Sequence, residues 1–266
     1  MIRAVLFDLD DTLLDFDPRR TRQAFRAGAE RTYKYLRGRG LAVPGFEQFL
    51  KSHANAAWRM KWIARLTGRE QSVRHVLRRL CLKLRLQNDE VSLSRLGWIW
   101  YEPLVECCTI APDVLPTLNR LRESGIALGL VCNTPLQGDV IDHHLELEGL
   151  LDFFPVRIYS SDVGYRKPDP RIFHAACREL NVSPKADESI YVGDIPRNDI
   201  AGARRAGLLT VLRQRDANRS ACGDADHTIR NLSELLDLAA LRPSLQPHPS
   251  EPKSNSGKRP VRPSAA

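Results

Sequence analysis

The 266-residue sequence lacks any apolar run long enough to cross a membrane. A membrane-spanning helix needs about 18 or more consecutive apolar residues, and the apolar runs here are much shorter. The first residues also lack the apolar segment and the small-residue cleavage site of a secretory signal peptide. We therefore expect a cytoplasmic protein with no membrane partner.

The six cysteines lack the spacing of a zinc site. None belongs to a C-x-x-C pair, and no nearby histidine completes a metal-binding pattern. We expect reduced thiols that serve mainly as small core side chains. These cysteines are Cys81, Cys107, Cys108, Cys132, Cys177 and Cys222.

The net charge of +8 is distributed unevenly along the chain. Residues 15–109 carry 19 Lys and Arg against nine Asp and Glu, and residues 243–266 carry four against one. The rest of the chain is therefore acidic. A basic segment that faces an acidic site would attract an anionic substrate. The same charges also fit a set of solvated helix faces, and the sequence leaves both interpretations open.

A short apolar segment near the N-terminus ends in a cluster of acids. Residues 2–7 predict a buried strand, and Asp8 and Asp10 follow where that strand must end. In an open α/β sheet, ligands bind at the carboxyl ends of the strands. Two carboxylates held close together repel each other unless a cation or a shared proton lies between them. This stretch therefore predicts a divalent metal and an acid–base pair.

The next ninety residues show helical spacing and no strand alternation. A first helix begins at Pro18 and breaks at Gly38, and further helices are predicted over 46–66, 70–86 and 91–107. We expect these four helices to pack as a small bundle.

Two tryptophans of this tract, Trp58 and Trp62, flank Arg59 and Lys61. Aromatic side chains interleaved with basic ones can stack on nucleic-acid bases. Their spacing of four residues places both indoles on one helix face, which favours a core or an interdomain seam. We therefore regard nucleic acid as an unlikely partner.

From Pro112 onward, strands alternate with helices, which indicates crossover connections and a parallel sheet. We predict an α/β fold with a Rossmann-like, doubly wound parallel sheet and an inserted all-helical cap domain. The core would comprise residues 1–14 and 110–242 and the insertion residues 15–109, with a basic, disordered, Pro/Ser-rich tail over 243–266. The predicted helices are 113–123, 137–148, 169–180, 197–206 and 228–241, and the predicted strands are 126–132, 156–160, 189–193 and 208–212.

Polar side chains follow four of the predicted strands, and the ends of parallel strands meet at one crevice. Oxygen ligands of this kind suit Mg²⁺, and a lysine suits a phosphate group as a point charge. The sequence therefore predicts a phosphate ester as substrate. These residues are Asp8, Asp10 and Thr12; Cys132, Asn133 and Thr134; Lys167; and Asp194 and Asp199.

Four sequence strings resemble, in order, the four motifs of the haloacid dehalogenase-like hydrolase superfamily. They are F-D-L-D-D-T-L, V-C-N-T, G-Y-R-K-P-D-P-R-I-F and Y-V-G-D-I-P-R-N-D-I-A-G-A. The resemblance covers about residues 1–240, and the helical insertion resembles the cap of that superfamily. A D-x-D-x-T string alone would be a weak signal, whereas four strings in order are a strong one.

The resemblance implies a role for each motif residue. Asp8 resembles the nucleophile that forms an aspartyl-phosphate, and Asp10 resembles the general acid and base. Mg²⁺ would be held by the Asp8 carboxylate, the Asp10 backbone carbonyl and Asp194. Asp199 would bind the ion through a water molecule or would lie behind the direct ligands. Lys167 would neutralise charge on the phosphoryl group.

The second motif implies that Asn133 and the following backbone amide bind phosphate oxygens, with Cys132, Thr134 and Thr12 beside them. Cys132 stands where the family usually has Ser or Thr, and a thiol is the weaker donor. The expected activity is Mg²⁺-dependent hydrolysis of a small phosphorylated metabolite. A phosphotransferase or mutase of the same superfamily and a non-catalytic binding protein remain open, as does the oligomeric state. Dehalogenases of the superfamily lack an Asp two residues after the nucleophile, so Asp10 favours phosphoryl transfer.

Overall fold

The computed structural model describes residues 1–83, 93–214 and 224–245. Within these ranges no helix is both long enough and apolar enough to cross a membrane. Several sequence predictions lie outside the described residues: the ends of two predicted helices at 84–86 and 91–92, Cys222, and the tail from residue 246 onward. The side chain of Cys81 also lies outside the described part of the structure.

The described residues form eight strands. In chain order they are β1 (Ala4–Phe7), β2 (Leu14–Phe16), β3 (Cys108–Ile110), β4 (Ala127–Cys132), β5 (Val156–Tyr159), β6 (Ser189–Gly193), β7 (Leu209–Arg213) and β8 (His227–Ile229). Six of them form one parallel sheet in the order β5-β4-β1-β6-β7-β8. The chain builds outward from β1 in both directions, so the switch point of the sheet lies beside β1. The predicted α/β fold is confirmed.

The helices follow the predicted pattern closely. They are α1 (Pro18–Gly38), α2 (Phe46–Thr67), α3 (Val73–Lys83), α4 (Leu93–Val105), α5 (Val114–Glu123), α6 (Gly138–Leu147), α7 (Ser160–Val163), α8 (Pro170–Glu179) and α9 (Ala201–Arg205). The Asp17 side chain caps α1 by accepting the amide of Arg19, and Pro18 occupies the first turn, where no amide donor is needed.

Alternate residues of the central strands face two different apolar clusters. Phe7 and Val192 belong to the larger cluster, which lies under α5 and α6. Leu6 and Tyr191 belong to a second cluster, which lies against α8 and α9. Because β1 is buried on both faces, its sequence is a continuous apolar run, as expected for a central parallel strand.

The sequence prediction is wrong at the end of the sheet. The predicted helix over 228–241 is instead the short edge strand β8, which pairs with β7, followed by a 3₁₀ helix over Leu232–Asp237. The predicted helix over 197–206 is a π-helical turn over Pro196–Ile200 that leads into α9. A three-residue strand is too short to show alternation, so only its pairing with β7 distinguishes it from a helix.

Strands β2 and β3 were not predicted and form a separate antiparallel pair. Leu14 pairs with Ile110, and Phe16 pairs with Cys108. These residues are far apart in sequence, so no local pattern reveals the pairing. The pair carries the chain into and out of the segment that contains α1–α4, and it includes both predicted boundaries of the inserted domain.

The four predicted helices of the insertion pack against one another around a small apolar cluster. Its buried members are Ala29 and Leu36 from α1, Phe49 from α2 and Leu96 from α4. Gly28 allows the closest approach in this bundle, because a side-chain carbon there would lie 2.2 Å from the carbonyl oxygen of Trp100. That the bundle acts as a separate cap remains a prediction.

The expectation that Trp58 and Trp62 fill a core or a seam is wrong. The two indoles lie on one face of α2 and contact each other, but they are 62 % and 44 % exposed. Helical spacing shows which side chains share a face and does not show which face is covered.

Helix α4 of the insertion packs on helix α6 of the sheet domain. Gly97 lies against the side chain of Gln137, and the Tyr101 hydroxyl is 2.9 Å from Nδ1 of His144. His144 is fully buried, and Oε1 of Glu148 lies 3.8 Å from its Nε2. Burial, aided by neighbouring His143, lowers the pKa of His144 to about 4.

The start of the predicted tail is ordered. Arg242–Ser244 forms a 3₁₀ turn, and the carbonyl of Leu245 accepts a hydrogen bond from Arg120. Of the cysteines with described side chains, Cys132 and Cys177 are buried, Cys107 and Cys108 are partly buried, and all four are free thiols.

The buried His144 predicts acid destabilisation of the α4–α6 contact. A histidine with a lowered folded pKa stabilises the fold above its unfolded pKa, and this contribution is lost as pH falls from about 6.5 towards 4. The full effect is about 3 kcal/mol for a shift of this size. Urea unfolding of the wild type and of His144→Asn, measured from pH 7 to pH 4, gives the difference in unfolding free energy. We expect the advantage of the wild type to shrink across this range, and a constant difference would contradict the assignment.

Candidate active site

The turn after β1 holds the first motif at the carboxyl edge of the sheet. The Leu9 carbonyl accepts the amides of Thr12, Leu13 and Leu14, so the chain reverses tightly behind Asp8. Asp11 occupies the left-handed region with φ of 56°, a conformation that Asp tolerates better than most residues.

A second contact, made by Arg213, holds the same turn in place. The Arg213 guanidinium, at the end of β7, donates to the Thr12 carbonyl. The Thr12 hydroxyl is buried and finds no hydrogen-bond partner among the described residues. The turn is therefore anchored through its backbone, and one buried polar atom of a predicted binding residue is left without a protein partner.

The ammonium group of Lys167 lies buried among three oxygen atoms. Its Nζ is 2.6 Å from Oδ1 of Asp8, 2.7 Å from Oδ1 of Asp199 and 2.9 Å from the Tyr191 hydroxyl. Lys167 is 3 % exposed and Asp199 is fully buried. Asp8, Lys167 and Asp199, predicted from three separate motifs, therefore meet at one point.

The electrostatics of this group follow from an excess of carboxylates. Burial alone would lower the pKa of Lys167, but the charges of Asp199 and Asp8 raise it well above its usual value. Burial raises the pKa of Asp8, the nearby ammonium lowers it, and repulsion from Asp199 and Asp10 raises it further. Lys167 therefore stays charged, while the net effect on Asp8 is a pKa raised well above its usual value.

Asn133 holds the backbone of Lys167. Its Nδ2 donates to the Lys167 carbonyl at 3.0 Å, and its Oδ1 accepts the Lys167 amide at 2.8 Å. Both ends of the amide are thus engaged, although the resemblance implied that Asn133 binds phosphate. The amide of Thr134 is also engaged, because it donates to the Ser160 hydroxyl at 2.9 Å.

The helical insertion also touches the loop that carries Lys167. Glu70, in the link between α2 and α3, accepts a hydrogen bond from Ser160 at 2.9 Å and pairs with Arg166 at 3.5 Å. The neighbouring Arg69 forms an antiparallel bridge with Tyr165. The loop is therefore held by Asn133 from the sheet and by residues 69–70 from the insertion.

Asp199 is aimed at Lys167 by the turn after β6. Its Oδ2 accepts the Ile195 amide at 2.8 Å, and its Oδ1 accepts from Tyr191 at 3.2 Å. Gly193 provides the space, because a side-chain carbon there would lie 2.5 Å from Cβ of Asp199. Both oxygens of Asp199 are therefore occupied by protein donors.

The donor set fits a hard divalent cation. Asp8, Asp194 and Asp199 each offer a carboxylate oxygen, and these oxygens lie within 4.8 Å of one another. Oδ1 of Asp194 is buried and has no hydrogen-bond partner among the described residues. Burial, with repulsion from Asp199 and Asp11, raises the pKa of Asp194 to about 7. A bound cation would supply the partner that this oxygen lacks, and an all-oxygen set is the kind that Mg²⁺ prefers.

Asp10 stands apart from this cluster at the floor of a cavity of about 670 Å³. The cavity lies between the turn after β1 and helices α1 and α4, and Phe16, Phe25 and Tyr101 form its apolar walls. Burial by surrounding protein and repulsion from Asp11 raise the pKa of Asp10 to about 6. A carboxyl group that titrates near neutral pH is suited to general acid–base work.

Cys132 lies at the end of β4 in the larger apolar cluster and is 2 % exposed. Burial, followed by repulsion from Asp10 and Asp8, raises the pKa of its thiol well above the usual value. The thiol is therefore neutral and poorly suited to act as a nucleophile. The Thr134 hydroxyl accepts the Leu136 amide at 3.1 Å, so it shapes the turn after β4. The phosphate-binding roles assigned to these residues stay predictions.

Sequence reasoning missed Tyr191, the third partner of Lys167. A signal was present, because Tyr191 is the one tyrosine of the mostly apolar strand β6 and a buried tyrosine hydroxyl normally finds a partner. Ser160 and Glu70 were also missed, and no local pattern connects them, since they are 90 residues apart.

Comparisons with known proteins identify similar sequences and similar folds. The haloacid dehalogenase-like hydrolase family matches residues 2–207. A ribulose-1,5-bisphosphate 5-phosphatase from Halopiger xanaduensis is 31 % identical over 90 % of this chain and 100 % of its own length. A solved HAD phosphatase from Thermococcus onnurineus shares 28 % identity and a TM-score of 0.57, covering 89 % of this chain and 97 % of that one. A solved 2-haloacid dehalogenase from Pseudomonas syringae shares 26 % identity and a TM-score of 0.58, covering 91 % and 99 %.

The chain belongs to the haloacid dehalogenase-like hydrolase family, because the family match spans most of its length. The resemblance stated from the four motifs is therefore confirmed, and so is the expectation that this chain is a hydrolase. The acidic cluster and the buried lysine lie in three of those motifs.

The close packing of Gly193 against Asp199 gives a test of the site. Gly193→Ala inserts a methyl group against Asp199, and we expect a loss of about 1–3 kcal/mol in unfolding free energy from overpacking. Gly38→Ala is the matched control, because a side-chain carbon there meets nothing within 4 Å. Chemical denaturation of both variants measures the difference. Equal stability of the two variants would show that Asp199 is not held as described.

Proposed function

We propose that this hydrolase is a Mg²⁺-dependent phosphatase that hydrolyses a small phosphorylated metabolite through an aspartyl-phosphate intermediate. The observation that carries this proposal is the pairing of Asp8 with a buried lysine, near a carboxylate oxygen of Asp194 that has no partner among the described residues. The phosphatase relative that aligns over its whole length supports the reaction class.

In the first step, a carboxylate oxygen of Asp8 attacks phosphorus and forms the acyl-phosphate bond, while the bond to the leaving alcohol breaks. Asp10 gives its proton to the alcohol oxygen. In the second step, Asp10 removes a proton from water, the water oxygen attacks phosphorus, and inorganic phosphate leaves as Asp8 is regenerated. Asp10 borders the cavity where a leaving group would lie, which fits this exchange of protons.

Lys167 holds a fixed positive charge beside Asp8 throughout these steps. Because its ammonium is buried, its attraction for the phosphoryl oxygens is screened little by water. Tyr191 and Asp199 keep the group in place with contacts of 2.9 Å and 2.7 Å. Asn133 contributes indirectly, since it fixes the backbone from which the lysine extends.

The metal would be held by Asp8 and Asp194, with Asp199 adjacent to both. A bound Mg²⁺ supplies charge neutralisation for the phosphoryl oxygens and orients them for in-line displacement. The excess of carboxylates over basic groups in the cluster is the physical reason to expect a divalent cation here.

The helical insertion would act as a cap over the cavity. Helices α1 and α4 form two walls of the space above Asp10, so the insertion contacts whatever leaving group lies there. A cap of this kind selects the substrate and excludes water from the first step. The proposed domain boundaries, residues 15–109 for the cap and 1–14 with 110–242 for the core, begin and end within the β2–β3 pair.

Asp10 also argues against carbon–halogen cleavage, although a solved dehalogenase shares the fold. Release of a halide needs no proton, whereas release of an alcohol does. A carboxyl group placed on the leaving-group side would have no task in a dehalogenase.

The nucleophile assignment predicts that Asp8→Asn abolishes hydrolysis of an aryl phosphate, because the amide is a far weaker nucleophile. We expect a loss of at least about a thousandfold in kcat with the fold retained. The matched control is Asp11→Asn, which removes a neighbouring carboxylate and suits the left-handed backbone of that position. Phosphate release, with circular dichroism as a check on folding, measures both. Residual turnover of Asp8→Asn close to that of Asp11→Asn would refute the role of Asp8.

The metal assignment predicts that a chelator abolishes activity and that added Mg²⁺ restores it. We expect Asp194→Asn to weaken Mg²⁺ binding by about tenfold or more, because it removes a charged oxygen that has no protein partner. Calorimetric titration of Mg²⁺ into each protein measures this without turnover. Unchanged binding by Asp194→Asn would place the metal elsewhere.

A further inference from the structure

The cavity above Asp10 contains a feature that the hydrolytic steps leave unused. Among the described residues that line it, Arg22 is the single basic side chain. Arg22 lies one turn into α1 and lines the same cavity as Asp10 and Asp11. The lining also includes Thr21 and the aromatic residues Phe25 and Tyr101.

Arg22 makes no ion pair and no side-chain hydrogen bond among the described residues, unlike Arg20, Arg26 and Arg31 of the same helix. Arg26 pairs with Glu47 at 3.2 Å, and Arg31 pairs with both Glu102 and Glu106. Arg20 donates to the Glu106 carbonyl at 2.8 Å. Acceptors within the helical bundle thus bind the guanidinium groups of Arg20, Arg26 and Arg31. The N–H donors of the Arg22 guanidinium are not engaged by the described residues.

The position of Arg22 relative to the reacting group defines what it can contact. The phosphoryl group would lie at Asp8 and the leaving oxygen beside Asp10, so the rest of the leaving group extends into the cavity. Aromatic walls on two sides accommodate a short carbon chain. Beyond that chain, the planar guanidinium of Arg22 can donate two parallel hydrogen bonds to a carboxylate or a phosphate.

We propose that Arg22 is a specificity-determining residue that selects phosphate monoesters carrying a second anionic group on the leaving alcohol. This inference rests on the proposed phosphatase function and adds the substrate class to it. The second group is a carboxylate or a second phosphate, and both present the oxygen pair that the guanidinium recognises. The neighbouring carboxylates of Asp10 and Asp11 would repel such a group from the floor and orient it towards α1.

The test compares three substrates of similar length. They are 2-hydroxyethyl phosphate, which has a neutral end; phosphoglycolate, which has a carboxylate; and ethylene glycol bisphosphate, which has a second phosphate. We expect the wild type with Mg²⁺ to prefer at least one of the two doubly anionic substrates in kcat/KM. The preferred substrate identifies the anionic group that Arg22 binds.

Arg22→Gln should lower kcat/KM for the preferred substrate by about 10- to 100-fold, the size expected when hydrogen bonds to a charged group are lost. The value for 2-hydroxyethyl phosphate should change less than about threefold, because that substrate makes no contact with the guanidinium. The kcat/KM of Arg22→Lys for the preferred substrate should lie between those of the wild type and Arg22→Gln, since lysine keeps the charge and loses the two parallel N–H donors. Arg19→Gln is the control, because it removes an arginine of the same helix that does not line the cavity.

Substrate affinity gives a second measurement that is independent of turnover. In an Asp8→Asn background, calorimetric binding of the preferred substrate should weaken on Arg22→Gln and stay unchanged on Arg19→Gln. Higher salt should weaken the same binding, since the guanidinium is solvent-exposed.

The outcomes separate this inference from the proposed function. If the folded wild type hydrolyses the neutral substrate and Arg22→Gln alters all three substrates equally, or none, the inference is wrong and the phosphatase function stands. If the wild type with Mg²⁺ hydrolyses none of these esters and no aryl phosphate, the proposed function fails and the inference fails with it.

Discussion

The buried ammonium group of Lys167 is the constraint on which the rest of the site depends. A charged group removed from water needs compensating charges, and Asp8 and Asp199 supply them at 2.6 Å and 2.7 Å. Each of the three lies on a different segment, so the cluster forms only when the sheet, the loop before α8 and the turn after β6 are all in place. Removal of Lys167 would leave both buried carboxylates without their cation, whereas removal of one carboxylate leaves the lysine paired with the other.

Two of the described contacts between the helical insertion and the sheet domain differ in their chemistry. At α4 and α6 the contact is aromatic and apolar, with one hydrogen bond between Tyr101 and His144. At residues 69–70 the contact is polar and reaches the loop that carries Lys167. The geometry of the lysine therefore depends on the insertion as well as on the sheet.

The uneven charge of the sequence has a partial explanation in the structure. Two arginines of the basic insertion, Arg26 and Arg31, are paired with its own glutamates in the ordinary way of helix surfaces. Arg22 is placed differently, at a cavity whose floor is acidic. The pairing of Arg26 and Arg31 fits solvated helix faces, while the attraction of an anionic substrate by the basic segment stays a prediction.

The sequence by itself determined the α/β fold, the four-helix insertion and the family, because strand and helix periodicity and the four motifs are local patterns. It also located Asp8, Lys167, Asp194 and Asp199, since each follows a strand or lies in a motif. Only the tertiary structure decided the β2–β3 pairing, the edge strand β8, the exposure of Trp58 and the Lys167 contact of Tyr191. These features depend on contacts between residues distant in the chain, and periodicity carries no information about which distant surfaces meet.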